Sequence, residues 1–144
     1  MAFFGEYNLQ LDDKSRMRIP AKLRAQIAGN FYILNGTGGC LFVMTEEKFN
    51  KYVEKFASVP VSDFVAQNAI RRITSSVVQP DEDNQGRFVL PAKAKEYARI
   101  DKRVVFIGVN DRMEIWSEEV YNEKKFNEAT TFDEAISALS GYGI

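Results

Sequence analysis

The chain has 144 residues, 45% of them apolar, with 11 Phe and 6 Tyr, which is enough for one packed domain or for two half-domains sharing a core. There is no histidine, so the usual general base and metal ligand is missing, and the single cysteine, Cys40, forms no internal disulfide and points to a reducing compartment. A net charge of −1 argues by itself against nucleic acid; no apolar run at the N-terminus reads as a signal peptide or membrane span, so the expected location is the cytoplasm.

Residues 5–12 place Leu9 and Leu11 on one face, the pattern of a strand. A turn, Asp12-Asp13-Lys14-Ser15, leads into Arg16-Met17-Arg18-Ile19, where alternation resumes. Met17 and Ile19 face inward and Arg16 and Arg18 share the opposite face. Pro20 suits the first position of a helix carrying Leu23 and Ile27 on one side. Residues 31–35 and 40–44 then read as a hairpin around Gly36-Thr37-Gly38-Gly39. Thr45 is placed as a helix cap, with Glu46 and Glu47 in the first turn. Phe49, Tyr52, Val53 and Phe56 follow at i, i+3, i+4 and i+7, an amphipathic helix that Ser58-Val59-Pro60 ends. Residues 63–74 read as a connecting helix, with Val65, Ala69 and Ile73 on one side.

The second half repeats the series. Asp83-Asn84-Gln85-Gly86-Arg87 runs on to Pro91-Ala92 as Asp12-Asp13-Lys14-Ser15-Arg16 runs on to Pro20-Ala21, at an offset of 71 residues. Phe88 and Leu90 stand where Met17 and Ile19 do, and Pro91 opens a helix with Ala94, Tyr97 and Ala98. Residues 104–109 and 113–116 form a second hairpin, and Ser117 caps another helix. Here the offset is 72: Leu41, Val43 and Met44 match Met113, Ile115 and Trp116, and Gly36 matches Gly108. Thr131 caps a last helix over 132–139. Before the second motif, Pro80 and Asp81 replace Leu9 and Gln10; proline has no ladder N–H to give, so that strand is shortened or at an edge. A period this long is not that of a solenoid. It fits two small copies packed against each other.

Charge is neutral in sum but not in distribution. Lys14, Arg16, Arg18, Lys22 and Arg24 lie in a stretch, 14–28, that has no acid, whereas seven acids face two lysines over 114–134. A basic region of this kind binds phosphate locally or is simply a solvated face. Cys40 sits in a predicted strand without a histidine partner and reads as a small apolar residue. The Gly36–Gly39 stretch lacks the Lys-Ser/Thr ending of a phosphate loop and joins two strands. The run from Asp81 begins like a calcium loop but has Ala92 where a bidentate Glu is needed. No cofactor or metal is expected, and no enzyme.

The repeated motif has a physical rationale. An Asp before a tight turn accepts hydrogen bonds from turn N–H groups, or pairs with the Arg and fixes its direction. The planar guanidinium meets a phosphate or a guanine edge bidentately.

With both Asp-x-x-x-Arg motifs, each Pro-Ala, and the hairpin-plus-helix ending in Trp116-Ser117-Glu118, nearly the whole chain resembles the MraZ family of bacterial transcriptional regulators. The resemblance implies a β-rich α+β fold: two tandem AbrB-like swapped-hairpin half-barrels forming a pseudo-twofold β-barrel with flanking helices. The repeats would span 1–57 and 76–128, with a connecting helix at 58–75 and a C-terminal helix and tail at 129–144. It further implies assembly of subunits into a closed ring, association with the nucleoid, and binding to double-stranded DNA at short direct repeats upstream of the division and cell-wall gene cluster, the protein's own promoter included.

By position, the resemblance makes Arg16 and Arg87 the principal DNA contacts, with Asp12, Asp83 and Gly86 supporting the turns. Charge and spacing add Lys14, Arg18, Lys22 and Lys93 as phosphate partners. Two departures stand out: Ser15 occupies a position commonly Gly in the family, which predicts a slightly reshaped first turn, and Val89 replaces the basic residue matching Arg18. The alternative, from another class, is a non-enzymatic protein-interaction module, antitoxin-like or an assembly β-barrel.

Overall fold

Alternation sets β1 (Glu6–Gln10): Tyr7 and Leu9 turn inward, Glu6, Asn8 and Gln10 are exposed, and Leu11, just beyond the strand, is buried. The computed structural model describes residues 2–127 and 131–144, with the backbone alone for 125–127. β2 (Arg16–Met17) follows the first turn and leads to α1 (Ala21–Arg24). Pro20 is not the first helical residue. With ψ at 133° it is the extended N-cap, and its carbonyl accepts the first bonds of the helix, from the N–H groups of Leu23 and Arg24. The helix ends at Arg24, so Ile27 is buried from the segment after it.

β3 (Phe31–Asn35) and β4 (Leu41–Thr45) form the first hairpin, closed by a 3-10 turn at Thr37–Gly39. Gly38 and Gly39 take φ of 77° and 91°, the left-handed region that glycine enters at least cost. Thr45 Oγ1 accepts from the Lys48 N–H at 3.2 Å and starts α2 (Glu46–Glu54), which tightens into a 3-10 turn at Lys55–Ser58. Its apolar stripe of Phe49, Tyr52, Val53 and Phe56 is only half-buried. Tyr32 stacks on Phe49 with ring centroids 4.2 Å apart.

Asp63 caps α3 (Phe64–Thr74) through the Ala66 N–H. Its inward row differs from the sequence expectation. Ala66, Ile70 and Ile73 are half-buried, whereas Val65 is 83% exposed and Ala69 is exposed too. The phase is set where the chain leaves the helix: Ser76 Oγ accepts from the Asn35 N–H, and Val78 bridges Ile33. Both bonds fasten that end of the helix to β3.

The second half supplies β5 (Phe88–Val89), α4 (Ala92–Ala98), β6 (Arg103–Val109), β7 (Arg112–Ser117), α5 (Glu118–Asn127) and α6 (Phe132–Ala138). Pro91, like Pro20, is an extended N-cap. Ser117 and Thr131 cap α5 and α6 through the N–H groups of Val120 and Glu134. Before β5 the strand matching β1 shrinks to the single bridge at Val78, as the following Pro80 demands.

The fold is thus mixed α+β and rich in antiparallel sheet. Five strands run in the order β1-β6-β7-β4-β3, and β2 pairs separately with β5. The pairings join the halves of the chain: β1 lies on β6, and β4 on β7. Two registers are symmetric in the repeat: Phe42 faces its counterpart Glu114, and Met17 faces its counterpart Phe88. Phe3 reaches across to Asn110, so close to Gly108 that a Cβ there would lie 2.5 Å from the Phe3 backbone. Met17, Ile19, Leu23, Phe88, Leu90 and Ala98 join the sheet residues in one buried core. The expected boundary between residues 128 and 129 lies outside the described residues. Among the described residues no helix is long and apolar enough to cross a membrane.

Candidate nucleic-acid interface

The first turn is tied together by one carboxylate. Asp12 Oδ1 accepts from the backbone N–H groups of Lys14 and Arg16, both at 2.9 Å, and Oδ2 accepts from Arg16 Nε at 2.7 Å. Reciprocal backbone bonds, Asp12 N–H to Arg16 carbonyl and Ser15 N–H to Asp12 carbonyl, close the loop. Both of the functions an Asp could serve here are therefore served at once. The Arg16 backbone N–H first, then its side chain and the Lys14 N–H, hold the Asp12 carboxyl below its ordinary value.

The second turn repeats this atom for atom. Asp83 Oδ1 accepts from Gln85 N–H at 2.8 Å and Arg87 N–H at 2.9 Å, and Oδ2 from Arg87 Nε at 2.8 Å. The same backbone pair closes it, and the Arg87 N–H is again the main cause of a lowered Asp83 carboxyl. Each arginine is held through Nε. Among the described residues no hydrogen bond engages the terminal nitrogens of Arg16 or Arg87, the pair that a phosphate or guanine edge requires.

Ser15 does not reshape its turn. It takes φ of 58° beside 76° at Gly86, so the left-handed conformation is kept and the side chain bears it. Its Oγ accepts a hydrogen bond from Lys95 Nζ at 2.8 Å, an anchor that glycine lacks.

The short β2–β5 ladder brings the two turns together. Arg16 faces Val89 across it, and Leu90 N–H reaches the Ser15 carbonyl. A shallow groove there is lined by Gln10, Asp12, Arg16, Arg18 and Arg87. Arg18 donates from Nη1 to the Gln85 carbonyl at 3.2 Å, bracing the second turn from the first repeat. Lys14, Lys22 and Lys93 are exposed, Lys14 in the first turn and the others early in α1 and α4.

Three residues that the sequence reading gave no role support the turns. Arg24 forms a fork with Glu82, Nε to Oε2 at 3.0 Å and Nη2 to Oε1 at 2.8 Å, and lies over the Phe31 ring at 5.5 Å. Lys95 holds Ser15. Residues 24 and 95 are the same position of the repeat, so the helix of each half buttresses the turn of the other. That both positions are basic was the available signal. Elsewhere, burial pushes the Cys40 thiol up to about 12, with the Glu114 charge adding to it, which makes it inert. Among the described residues no cluster of His, Cys, Asp or Glu is arranged to hold a metal ion.

Comparison with known proteins agrees with this duplicated architecture. A family model described as "MraZ protein, putative antitoxin-like" matches twice, over residues 2–72 and 75–138. A relative from Syntrophomonas wolfei is 36% identical over 99% of both chains. One from Caldanaerobacter subterraneus is 34% identical over 97% of this chain and 98% of its own. One from Moorella thermoacetica is 39% identical over 84% and 85%. All three are named transcriptional regulator MraZ. The two successive matches, one for each turn and its hairpin, establish that this chain belongs to the MraZ family, a family of transcriptional regulators and not of enzymes.

Proposed function

We propose that the chain is a sequence-specific DNA-binding transcriptional regulator acting in the cytoplasm at the nucleoid. Its two halves, 1–57 and 76–128, are swapped-hairpin half-barrels of AbrB type, joined by a connecting segment at 58–75 and followed by the tail at 129–144. The cross-pairing of β1 with β6 and the symmetric registers at Phe42/Glu114 and Met17/Phe88 support that reading.

The carrying observation is the double clamp: two arginines held by matching carboxylate geometry, both lining one shallow groove, with their terminal nitrogens unengaged among the described residues. Arg16 and Arg87 contact bases or phosphates, and Asp12, Asp83 and Gly86 shape the turns. Lys14, Arg18, Lys22 and Lys93 neutralise flanking phosphates. The targets are short direct repeats upstream of the division and cell-wall genes, the protein's own promoter included. One chain with net charge −1 binds weakly. A closed ring of copies meeting repeated sites gains by effective concentration, by roughly 10²–10⁴.

The test is DNA binding by the wild type and the Arg16→Ala/Arg87→Ala variant over a salt series, with the region upstream of the gene and a scrambled duplex as probes. Expected are preference for the upstream duplex, a slope of about 0.9 per neutralised phosphate, and near-complete loss in a variant that still assembles. Equal binding by both proteins would make the turns structural and favour the protein-interaction module.

A further inference from the structure

Among the described residues, two exposed apolar faces stand without a partner. On α3, Phe64 and Val65 are 78% and 83% exposed, and Val61 just before them is 83% exposed. At the C-terminus every residue from 131 to 144 is exposed, yet Phe132, Ile136 and Leu139 fall at i, i+4 and i+7 on one side of α6, continued by Tyr142. Large apolar side chains grouped this way mark interaction surfaces rather than ordinary surface scatter.

The two faces also differ in charge. Residues 131–144 contain Asp133 and Glu134 and no basic residue, whereas the last turn of α3 carries Arg71 and Arg72. We infer that α6 of one subunit docks antiparallel on the outer face of α3 of the next. In that orientation Asp133, which flanks the apolar row of α6, lies against the arginines of α3, and Leu139 and Tyr142 lie against Phe64 and Val61. At 1.5 Å per residue α6 rises about 9 Å from Phe132 to Ala138 and fits within the roughly 15 Å length of α3. Opposed helix dipoles add to the attraction.

A contact between two different patches is heterologous, and repeated it generates a ring or a filament rather than a twofold dimer. This gives a contact surface to the ring of the proposed function, on whose ring reading the inference rests. The half-buried stripe of α2 and the DNA-facing turns are not part of it.

The test uses two full-length variants, Val65→Asp on α3 and Ile136→Asp on α6, with molar mass measured by light scattering in the absence of DNA. Neither side chain is buried in the single chain, so circular dichroism and melting of the variants should match those of a folded monomer. Each variant alone should fall from the mass of the assembly to that of one chain. Mixed in equal amounts, they should rise to two chains and stop, because only one intact pair of faces remains between them. Wild-type mass in either variant, a mixture that stays monomeric, or a wild type that is itself monomeric would overturn the docking. A monomeric wild type removes the ring itself, whereas wild-type mass in either variant removes this interface alone; contact by the arginines is read separately in the DNA-binding test.

Discussion

Replacing residues 15 and 86 by Gly and by Ala isolates the energetics of the turns. Both positions have positive φ, 58° at Ser15 and 76° at Gly86. At Gly86 an added Cβ meets nothing nearer than Glu82 Oε2 at 3.9 Å, so Gly86→Ala carries conformational strain and no clash, at about 1 kcal/mol. At position 15 both Ser15→Gly and Ser15→Ala delete the hydrogen bond from Lys95, so their difference again reports strain alone, about 1 kcal/mol in favour of Gly. Against the wild type, Ser15→Gly relieves that strain but loses a part-exposed hydrogen bond of about 1 kcal/mol. It should therefore melt near the wild type, while Ser15→Ala falls below. For a chain of this size about 1 kcal/mol corresponds to a shift in Tm of about 3 °C. The assay is thermal unfolding at one fixed chain concentration, since assembly couples to stability. If Gly and Ala melt alike at either position, the left-handed turn is not what constrains it, and the reasoning fails.

Because native bonds lower the carboxyls of Asp12 and Asp83, their contribution is complete above the ordinary carboxylate pKa of about 3.9 and is lost as pH falls through the lowered native values. DNA binding should accordingly be flat from about pH 5 to about pH 8 and collapse in acid, which fluorescence anisotropy across a pH series checks; a midpoint near neutrality would contradict it. Val89, 57% exposed opposite Arg16, stands where the first repeat has Arg18. Val89→Arg should steepen the salt dependence of binding by about 0.9 in log–log slope, and Arg18→Val should flatten it by as much. Native Cys40 should resist a thiol reagent at about pH 8 and react fully only in denaturant; rapid native labelling would show that the turn leading into β4 opens.

Much of this was legible in the chain itself. The paired turns, both hairpins and the caps Thr45, Ser117 and Thr131 are local features, determined by residues a few positions apart. Pairing partners were not legible. Alternation tells which face of β1 is buried but not that its neighbour is β6, some hundred residues away (Glu6 opposite Ile107). The Arg24–Glu82 fork was hidden for the same reason. On α3 the difficulty was different: Val65–Ala69 and Ala66–Ile70 are both apolar rows, and only the anchoring of Ser76 and Val78 on β3 decides between them. The family resemblance supplied the roles proposed for Arg16 and Arg87, whereas the Lys95 anchor that lets Ser15 hold its turn comes from 80 residues away in the sequence.

The ladder in which Met17 meets Phe88 has a consequence for how such a surface can change. Two identical chains meeting about that axis would present the same side chain on both sides, and every substitution would strike twice. Here both sides are written into one chain, so each drifts separately. Gly86 holds the position that corresponds to Ser15, and Val89 the one that corresponds to Arg18. Symmetry of the scaffold survives while symmetry of the surface is broken, so one half can be retuned toward a new neighbour while the other keeps its hold.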